Sequence, residues 1–180
     1  TDAPYPARAA FGAAVTRNGS VVVAAGYDGD WSSQFYSDVW RSDDGGRTFA
    51  LVADGPFDPR TECEVVSLAN GAIVLMGGYG SPPGTAARSR QDVWVSHDFG
   101  STWYDQPVNA LSWWSPRQAF CSLVLPGDVV VVMGGFNSQN SQYLNDIWLS
   151  HDGGATWSST SPRAVWGARA GGHRQPGHER

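Results

Sequence analysis

The feature that most constrains the fold of this chain is an eight-residue pattern, Ser-x-Asp-x-Gly-x-Thr-aromatic, that occurs three times. Its copies begin at Ser42, Ser96 and Ser150, and successive copies start 54 residues apart. The triplet Asp-(Val/Ile)-Trp precedes every copy at the same distance, and its tryptophans are Trp40, Trp94 and Trp148. Self-similarity at a fixed period of this length is the signature of a repeat architecture.

Each repeat predicts four short antiparallel strands. The first strand follows an arginine (Arg8, Arg60 or Arg117) and ends at a tight turn such as Asn18-Gly19, a dipeptide that favours a type I′ hairpin. The second strand is a continuous apolar run, which is typical of a strand covered on both faces. The third contains the Asp-(Val/Ile)-Trp triplet, and the fourth begins at the Thr-aromatic pair. Repeated four-stranded antiparallel units predict an all-β chain that forms blades of a β-propeller.

The expected bounds of the three blades, within residues 1–163, are about 6–58, 59–115 and 116–161. A fourth opening is predicted at Ser161–Gly167, with Arg163 in the place of the repeat arginine. Residues 164–180 are therefore expected to start a further blade or to form a disordered tail.

The repeats resemble two known families. The Gly-Gly pair, the downstream Asp-hydrophobic-Trp triplet and the Pro-x-Arg or Pro-Arg opening resemble kelch repeats, and the Ser-x-Asp-x-Gly-x-Thr-Trp pattern resembles the Asp-box (BNR) repeat of sialidases and many other secreted propellers. The resemblance covers roughly residues 6–160. It implies about three propeller blades plus the start of a fourth, and it favours a secreted protein. It implies no particular chemistry, because one fold hosts many functions.

The repeated residues are expected to be structural. In each Asp-box the aspartate accepts hydrogen bonds from backbone N–H groups of its own turn, and the glycine takes a positive φ. These residues are Asp44, Gly46, Asp98, Gly100, Asp152 and Gly154. The three triplet tryptophans are expected to fill the gaps between adjacent blades.

The candidate binding residues lie in segments that vary between repeats. The loops that join the second and third strands are expected to emerge on one face, where propellers commonly place binding loops. Rings beside amides and carboxylates suit sugars or peptide segments, although the rings could instead fold back over their own loops. The loop candidates are Trp31, Phe35, Tyr36, Arg88, Arg90, Asn140 and Tyr143. In the insertion at 104–115, Trp113 and Trp114 either meet a partner or pack at a blade junction.

No catalytic constellation is visible in the sequence. The arginines that open the blades are repeat features rather than a sialidase-type triad drawn from different loops. Glu62 and Glu64 share one face of one strand, and no spacing selects a pair of catalytic carboxylates. His97 and His151 occupy a variable position of the Asp-box, so neither a metal site nor a cofactor is expected.

Charge, hydropathy and cysteine usage narrow the possible partners. A net charge of −5 provides no basic stripe for nucleic acid. No apolar run approaches the roughly 20 residues of a membrane span. Cys63 and Cys121 fall on opposite faces of their strands, and are expected to be buried thiols rather than a disulfide.

Three blades cannot close a ring, because propellers contain about four to eight. Leaving several hundred Å² of apolar flank exposed on each side would cost on the order of 10 kcal/mol. We therefore expect a second copy, another polypeptide or further blades to cover the flanks. The expected function is a non-catalytic module that binds protein or carbohydrate through its inter-strand loops. The alternatives are part of a secreted glycan-active enzyme, sialidase-like or galactose-oxidase-like, and a purely architectural subunit.

Overall fold

The computed structural model describes residues 3–29, 34–107 and 113–171, and within these ranges the chain contains strands and no helix. All strand pairs are antiparallel. The prediction of an all-β chain of antiparallel strands is therefore confirmed. Trp31, a predicted binding residue, and the tail histidines His173 and His178 lie outside the described residues.

The strands are short except for two in the third repeat. In chain order they are β1 (Gly12–Val15), β2 (Val21–Ala24), β3 (Val39–Ser42), β4 (Ala50–Ala53), β5 (Arg60–Thr61), β6 (Glu64–Ser67), β7 (Ile73–Met76), β8 (Tyr79–Gly80), β9 (Arg88–Ser89), β10 (Val93–Ser96), β11 (Tyr104–Asp105), β12 (Cys121–Leu125), β13 (Val129–Asn137), β14 (Gln142–Ser150) and β15 (Ser158–Ser161).

Three of the four sheets have four strands in sequential order. Sheet I contains β1–β4, sheet II contains β6, β7, β10 and β11, and sheet III contains β12–β15. The small fourth sheet, β5-β8-β9, continues the strands of the second repeat toward its connecting loops. The first strands β1, β6 and β12 lie next to one another, so successive sheets meet along these strands.

Sheets I, II and III stack face to face in that order, with an apolar core in each of the two junctions. The I–II junction contains Val22, Ala24 and Val39 of sheet I with Val65, Ile73 and Leu75 of sheet II. The II–III junction contains Val74, Met76, Val93 and Val95 of sheet II with Val130 and Val132 of sheet III. The second strand of sheet II, β7, is buried on both faces because this sheet lies between the other two.

Each sheet has a front face and a back face, which we define by the triplet tryptophan. Trp94 packs against the core between sheets I and II, and Trp148 packs against the core between sheets II and III. We call the face that bears this tryptophan the front face. Trp103 and Trp157, which follow the second and third Asp-boxes, are buried in the same two junctions. The front faces of sheets II and III therefore pack on the back faces of sheets I and II.

The opening residues of successive repeats are joined by backbone hydrogen bonds. The N–H of Glu62 donates to the carbonyl oxygen of Ala10 (2.9 Å), and the N–H of Ala119 donates to that of Glu62 (3.1 Å). The N–H of Gly171 in turn donates to the carbonyl oxygen of Ala119. Ala10, Glu62 and Ala119 share a left-handed backbone, with φ of 48°, 53° and 49°. Every repeat thus begins at the same bend, which is bonded to the preceding one.

The fourth opening lies at Arg169, not at the predicted Arg163. The carbonyl oxygen of Arg169 accepts a hydrogen bond from the N–H of Gly135 (2.8 Å), just as Arg60 accepts from Gly26 (2.8 Å). Arg169 also follows Arg117 by 52 residues, the separation of the first two repeat arginines.

The reason for this shift is visible in the sequence around each arginine. The prediction of Arg163 relied on a preceding proline, as in Pro116-Arg117. The first repeat instead opens with Ala7-Arg8-Ala9, and this tripeptide recurs as Ala168-Arg169-Ala170. Backbone hydrogen bonds, not the proline, mark the opening.

Candidate functional site

A buried Arg–Asp–Trp triad recurs in every repeat. The guanidinium of Arg60 donates two hydrogen bonds of 2.7 Å to the carboxylate of Asp92, and Nε1 of Trp94 donates a third of 2.9 Å to that carboxylate. The guanidinium also donates to the Gly77 carbonyl oxygen (3.0 Å) and lies 5.3 Å from the centre of the Phe57 ring. The other triads are Arg8, Asp38 and Trp40, and Arg117, Asp146 and Trp148. These arginines bind within their own repeats, so a ligand would have to displace an internal partner.

Ion pairing outweighs burial in these triads. Burial alone would raise the pKa of Asp92, but the charge of Arg60 and the hydrogen bonds from it hold that pKa below its usual range. The pKa values of Asp38 and Asp146 are also lowered, because hydrogen bonds from their arginines outweigh burial there too. Each triad therefore holds an ionised aspartate against its own arginine.

The Asp-box carboxylates are bonded within their own turns. Oδ1 of Asp44 accepts the N–H of Thr48 (2.9 Å), and Oδ2 accepts the Thr48 hydroxyl (2.6 Å). Oγ of Ser42 accepts the N–H of Gly46 (2.8 Å). These bonds from Thr48 hold the pKa of Asp44 well below its usual range. Asp98 and Asp152 accept the same pairs of bonds from Thr102 and Thr156.

The glycine of each later box rests on the preceding sheet. A Cβ on Gly100 would lie 3.2 Å from a methyl carbon of Val39, and a Cβ on Gly154 would lie 2.8 Å from a methyl carbon of Val93. A larger residue at either position would push two sheets apart. Gly46 has no described atom within 4 Å of its Cβ position, because no described sheet lies in front of sheet I.

The loops that join second and third strands form one continuous surface, which we call the loop face (described residues 27–29, 34–38, 79–91 and 137–142). The rings of Phe35 and Tyr79 meet edge to face at 5.9 Å. The N–H of Ser89 donates to Oγ of Ser138 (2.8 Å), and Nε2 of Gln139 donates to the carbonyl oxygen of Ser89 (2.9 Å). The three loops therefore support one another across both junctions.

The loop candidates differ in what they leave open to a ligand. Tyr36 is half-buried, and the Arg8 guanidinium lies 4.4 Å from the centre of its ring. Arg90 is half-buried and pairs with Asp58. Phe35 is half-buried against Tyr79. These three residues contribute mainly to the architecture of the face.

Three other candidates are exposed. Tyr143 directly follows the described part of the third loop and is 56% exposed, and one side of its ring contacts Phe136 at 4.9 Å. Arg88 is exposed on β9 and has no ion-pair partner within the described ranges. Asn140 is exposed in the β13–β14 turn, where its Nδ2 donates to Gln142 (3.2 Å). A ring, a cation and an amide thus remain available on or beside the loop face.

Trp113 and Trp114, the two candidates in the insertion, are both buried. Their rings lie 6.5 Å apart and tilted by 30°, and both contact Trp157 in the II–III junction. They are not on opposite sides of a strand, because this segment is not extended in a sheet. Nε1 of Trp113 donates to the carbonyl oxygen of Gln91 (2.8 Å). Of the two alternatives, packing at a junction describes this pair.

A buried chain of polar residues at the II–III junction was not among the sequence predictions. Nε2 of Gln118 donates to Oε2 of Glu62 (2.9 Å), and the hydroxyl of Ser89 donates to Oε1 of Gln118 (2.8 Å). All three residues are nearly inaccessible to solvent. The sequence singles out Glu62 in one way: the residues aligned with it in the other repeats, Ala10 and Ala119, carry no functional group.

Glu62 and Glu64 both point toward sheet III. Burial raises the pKa of Glu62 to about 7, against the hydrogen bond from Gln118, which lowers it. Burial also raises the pKa of Glu64, whose Oε2 accepts a hydrogen bond from Ser122 (2.8 Å). Glu62 is therefore a carboxyl group that gains or loses its proton near neutral pH.

Both cysteines are free thiols. Cys63 is buried in the I–II junction, where burial raises its pKa to about 12. Cys121 is exposed, which corrects the expectation of a buried thiol. It lies on the back face of sheet III, and no described sheet covers that face.

The described residues contain neither a metal centre nor a membrane-spanning helix. No group of three or more His, Cys, Asp or Glu side chains among them could hold a metal ion. No described segment is a helix with the length and apolar character needed to cross a membrane.

Comparison with known proteins identifies the fold and no family. No family model matches the chain, and no curated protein matches it. By contrast, 212 chains of solved structures match it, so the arrangement of strands is widely used. One of them, described as "Structure of YjhT", has a TM-score of 0.73 and 13% sequence identity over 94% of this chain and 55% of that chain. The chain spans about half the length of that structure, and at this identity the likeness shows that the two share a fold.

Proposed function

We propose that this chain forms consecutive blades of a kelch-like, Asp-box β-propeller, and that it acts as a non-catalytic interaction module. Three face-to-face sheets of four antiparallel strands, joined at their first strands, support this architecture. The likeness to a solved chain that extends well beyond the matched part supports a ring with more blades than this chain supplies.

The observation that carries the proposed function is the difference between repeated and non-repeated polar residues. The repeated arginines and aspartates bind within their own repeats. By contrast, Tyr143 and Arg88, in the variable loops or directly beside them, expose side chains that these internal bonds do not use.

The chemistry of the loop face fits an extended polar ligand, either a peptide segment or a glycan chain. The free side of the Tyr143 ring can stack on the apolar face of a sugar or on a peptide side chain. Arg88 presents planar donors that match a carboxylate or carbonyl oxygen, and Asn140 presents both a donor and an acceptor. The contacts between loops hold these groups in place, which lowers the entropy lost on binding.

Arrays of glycans and of peptides, followed by titration of the strongest ligand, test the proposal. Tyr143→Ala and Arg88→Ala should each weaken binding by about tenfold or more, as expected for a contact worth about 1.4 kcal/mol. Tyr104→Ala is the matched control, because Tyr104 is 60% exposed on the outer strand β11 of sheet II. Equal binding by all three variants would contradict the proposed site.

A glycan-active enzyme is the second candidate, and Glu62 is the observation that favours it. Its pKa of about 7 suits general acid–base catalysis, but Glu62 is buried and bonded to Gln118, so a substrate could reach it only where the II–III junction opens. Turnover of chromogenic glycosides by the native chain, abolished in Glu62→Gln, would support this candidate. Equal turnover in the variant would assign any activity to other residues.

A further inference from the structure

Two apolar sheet faces lack a covering sheet within the described residues. On the front face of sheet I, Phe11, Val15 and Leu51 are 41%, 66% and 48% exposed. On the back face of sheet III, Leu123 and Leu125 are 49% and 44% exposed. At both internal junctions a front face packs on a back face. The uncovered front of sheet I and the uncovered back of sheet III are therefore faces of the two kinds that pack together.

The internal junctions show how a front face meets a back face. In the I–II junction, Val65 on the front of sheet II touches the position of Gly12 on the back of sheet I, where a Cβ would lie 3.1 Å from that of Val65. In the II–III junction, the hydroxyl of Ser122 on the front of sheet III donates to Glu64 on the back of sheet II (2.8 Å). The same two repeat positions meet both times.

Extending this rule by one repeat predicts which residues of sheets I and III would meet. Ala13 occupies the repeat position of Val65 and Ser122, and Cys121 occupies that of Gly12 and Glu64. A front face of sheet I on a back face of sheet III therefore places Ala13 against Cys121. Gly46 follows the same rule. Its counterparts Gly100 and Gly154 contact Val39 and Val93, so Gly46 would contact Ile147.

The segment at 166–171 indicates that the covering sheet has the sequence of sheet I. It carries Ala168-Arg169-Ala170, the tripeptide that opens the first repeat, whereas the other two openings read Pro-Arg-Thr and Pro-Arg-Gln. Arg169 adopts the repeat conformation, since its Nε donates to the carbonyl oxygen of Gly167 (3.1 Å), as Nε of Arg60 does to that of Asp58 (3.0 Å). Within the described residues its guanidinium lacks the aspartate that every other repeat arginine has.

On the basis of the proposed propeller, we infer that two copies of this chain pair front to back and close a ring of six sheets. Sheet I of each copy covers sheet III of the other. Arg169 of one copy then lies beside the partner's Asp38, whose carboxylate Arg8 already pairs inside the partner, and adds a second cation to it. Six blades lie within the range of about four to eight that closes a propeller.

The mass of the chain in solution, by light scattering over a range of concentrations, is the first test. The native chain should have about twice the 19.3 kDa of one chain. Ala13→Glu and Leu123→Glu each place a charge on one of the two faces, at exposed positions that a single copy tolerates. Each variant alone should therefore be monomeric.

Mixing the two variants tests the front-to-back geometry. The Ala13→Glu chain keeps an intact back face and the Leu123→Glu chain keeps an intact front face, so an equimolar mixture should form a one-to-one complex. Front-to-front pairing would instead leave Leu123→Glu a dimer by itself and would overturn the inference. The Val165→Glu variant is the control, because Val165 is fully exposed, and it should pair as the native chain does.

A cross-link identifies the contact directly. With oxidised glutathione as the oxidant, Ala13→Cys should form disulfides between the introduced thiol and the partner's Cys121, read as a covalent dimer on a non-reducing gel and located by mass spectrometry. Tyr104→Cys should not cross-link. Arg169→Ala should raise the dissociation constant of the pair at least tenfold, and Arg163→Ala should leave it unchanged.

A native chain that remains at 19.3 kDa, a series of larger open polymers, or a cross-link that does not involve Cys121 would each overturn the pairing. An unchanged dissociation constant in Arg169→Ala would overturn the contact of Arg169 with the partner's Asp38. Failure here is distinguishable from failure of the proposed function, because a chain that binds a peptide or glycan while remaining monomeric contradicts the pairing alone.

Discussion

Replacing Glu62 by glutamine should remove a pH dependence of stability that the native chain carries. In the folded chain this carboxyl has a pKa of about 7 instead of 4.5, so the folded state binds its proton more tightly than the unfolded state. Its contribution to the free energy of unfolding is fully present below pH 4.5 and is lost as the pH rises through 7. Since one pKa unit corresponds to about 1.4 kcal/mol, the loss is about 3 kcal/mol.

Glutamine keeps the acceptor for the Gln118 amide and carries no charge. Urea unfolding at one protein concentration, followed by tryptophan fluorescence from pH 5 to 8, should show the variant gaining stability over the native chain as the pH rises. Asp54→Asn, at an exposed carboxylate, is the control and should follow the native profile. Glu62→Ala should lose about 1–3 kcal/mol at pH 5, because the Gln118 donor is left buried without its acceptor. Parallel profiles for the native chain and Glu62→Gln would refute the reasoning.

Two further predictions concern the scaffold. Arg60→Gln should lower the free energy of unfolding by about 3–5 kcal/mol in a urea titration, because it leaves a buried carboxylate without its cation. Arg163→Gln is the control: this arginine is exposed, and the free energy of unfolding should change by less than about 0.5 kcal/mol. Gly45 and Gly154 both have a left-handed backbone. Gly45→Ala should lower the free energy of unfolding by about 1 kcal/mol from this backbone conformation alone. Gly154→Ala should lower it by a further 1–3 kcal/mol, because the added methyl group would contact the preceding sheet. Equal losses in the two glycine variants, measured by thermal or urea unfolding, would show that the sheets adjust to an added methyl group.

The periodic features of the fold could be predicted from sequence because each has a local physical cause. Asn18-Gly19 specifies a hairpin turn, and the spacing of the Asp-boxes fixes how often the strand pattern recurs. The preceding proline misplaced the fourth opening at Arg163, although the 52-residue spacing and the Ala-Arg-Ala tripeptide both mark Arg169. Arg163 has the preceding proline, but the opening is defined by hydrogen bonds to Gly135 and Ala119, which are distant in sequence.

The candidate site was harder to predict than the fold. Whether an aromatic ring in a variable segment is exposed depends on its neighbours in three dimensions. The sequence therefore could not show that Tyr143 is exposed and Trp114 is buried. The sequence left Trp113 and Trp114 either at a partner surface or at a junction, and both rings lie at a junction. Glu62 stands out only when the three bends are aligned and two are found to carry alanine.

Main-chain hydrogen bonds link the bends at Ala10, Glu62 and Ala119. Mutation can therefore change the side chain at each of these positions without removing the donors and acceptors of these main-chain bonds. Such a position allows evolution to try new chemistry on an unchanged frame, and the acid in the middle unit is one outcome of that freedom. Engineers could use the alanines on either side in the same manner, installing groups beside Glu62 without redesigning the scaffold.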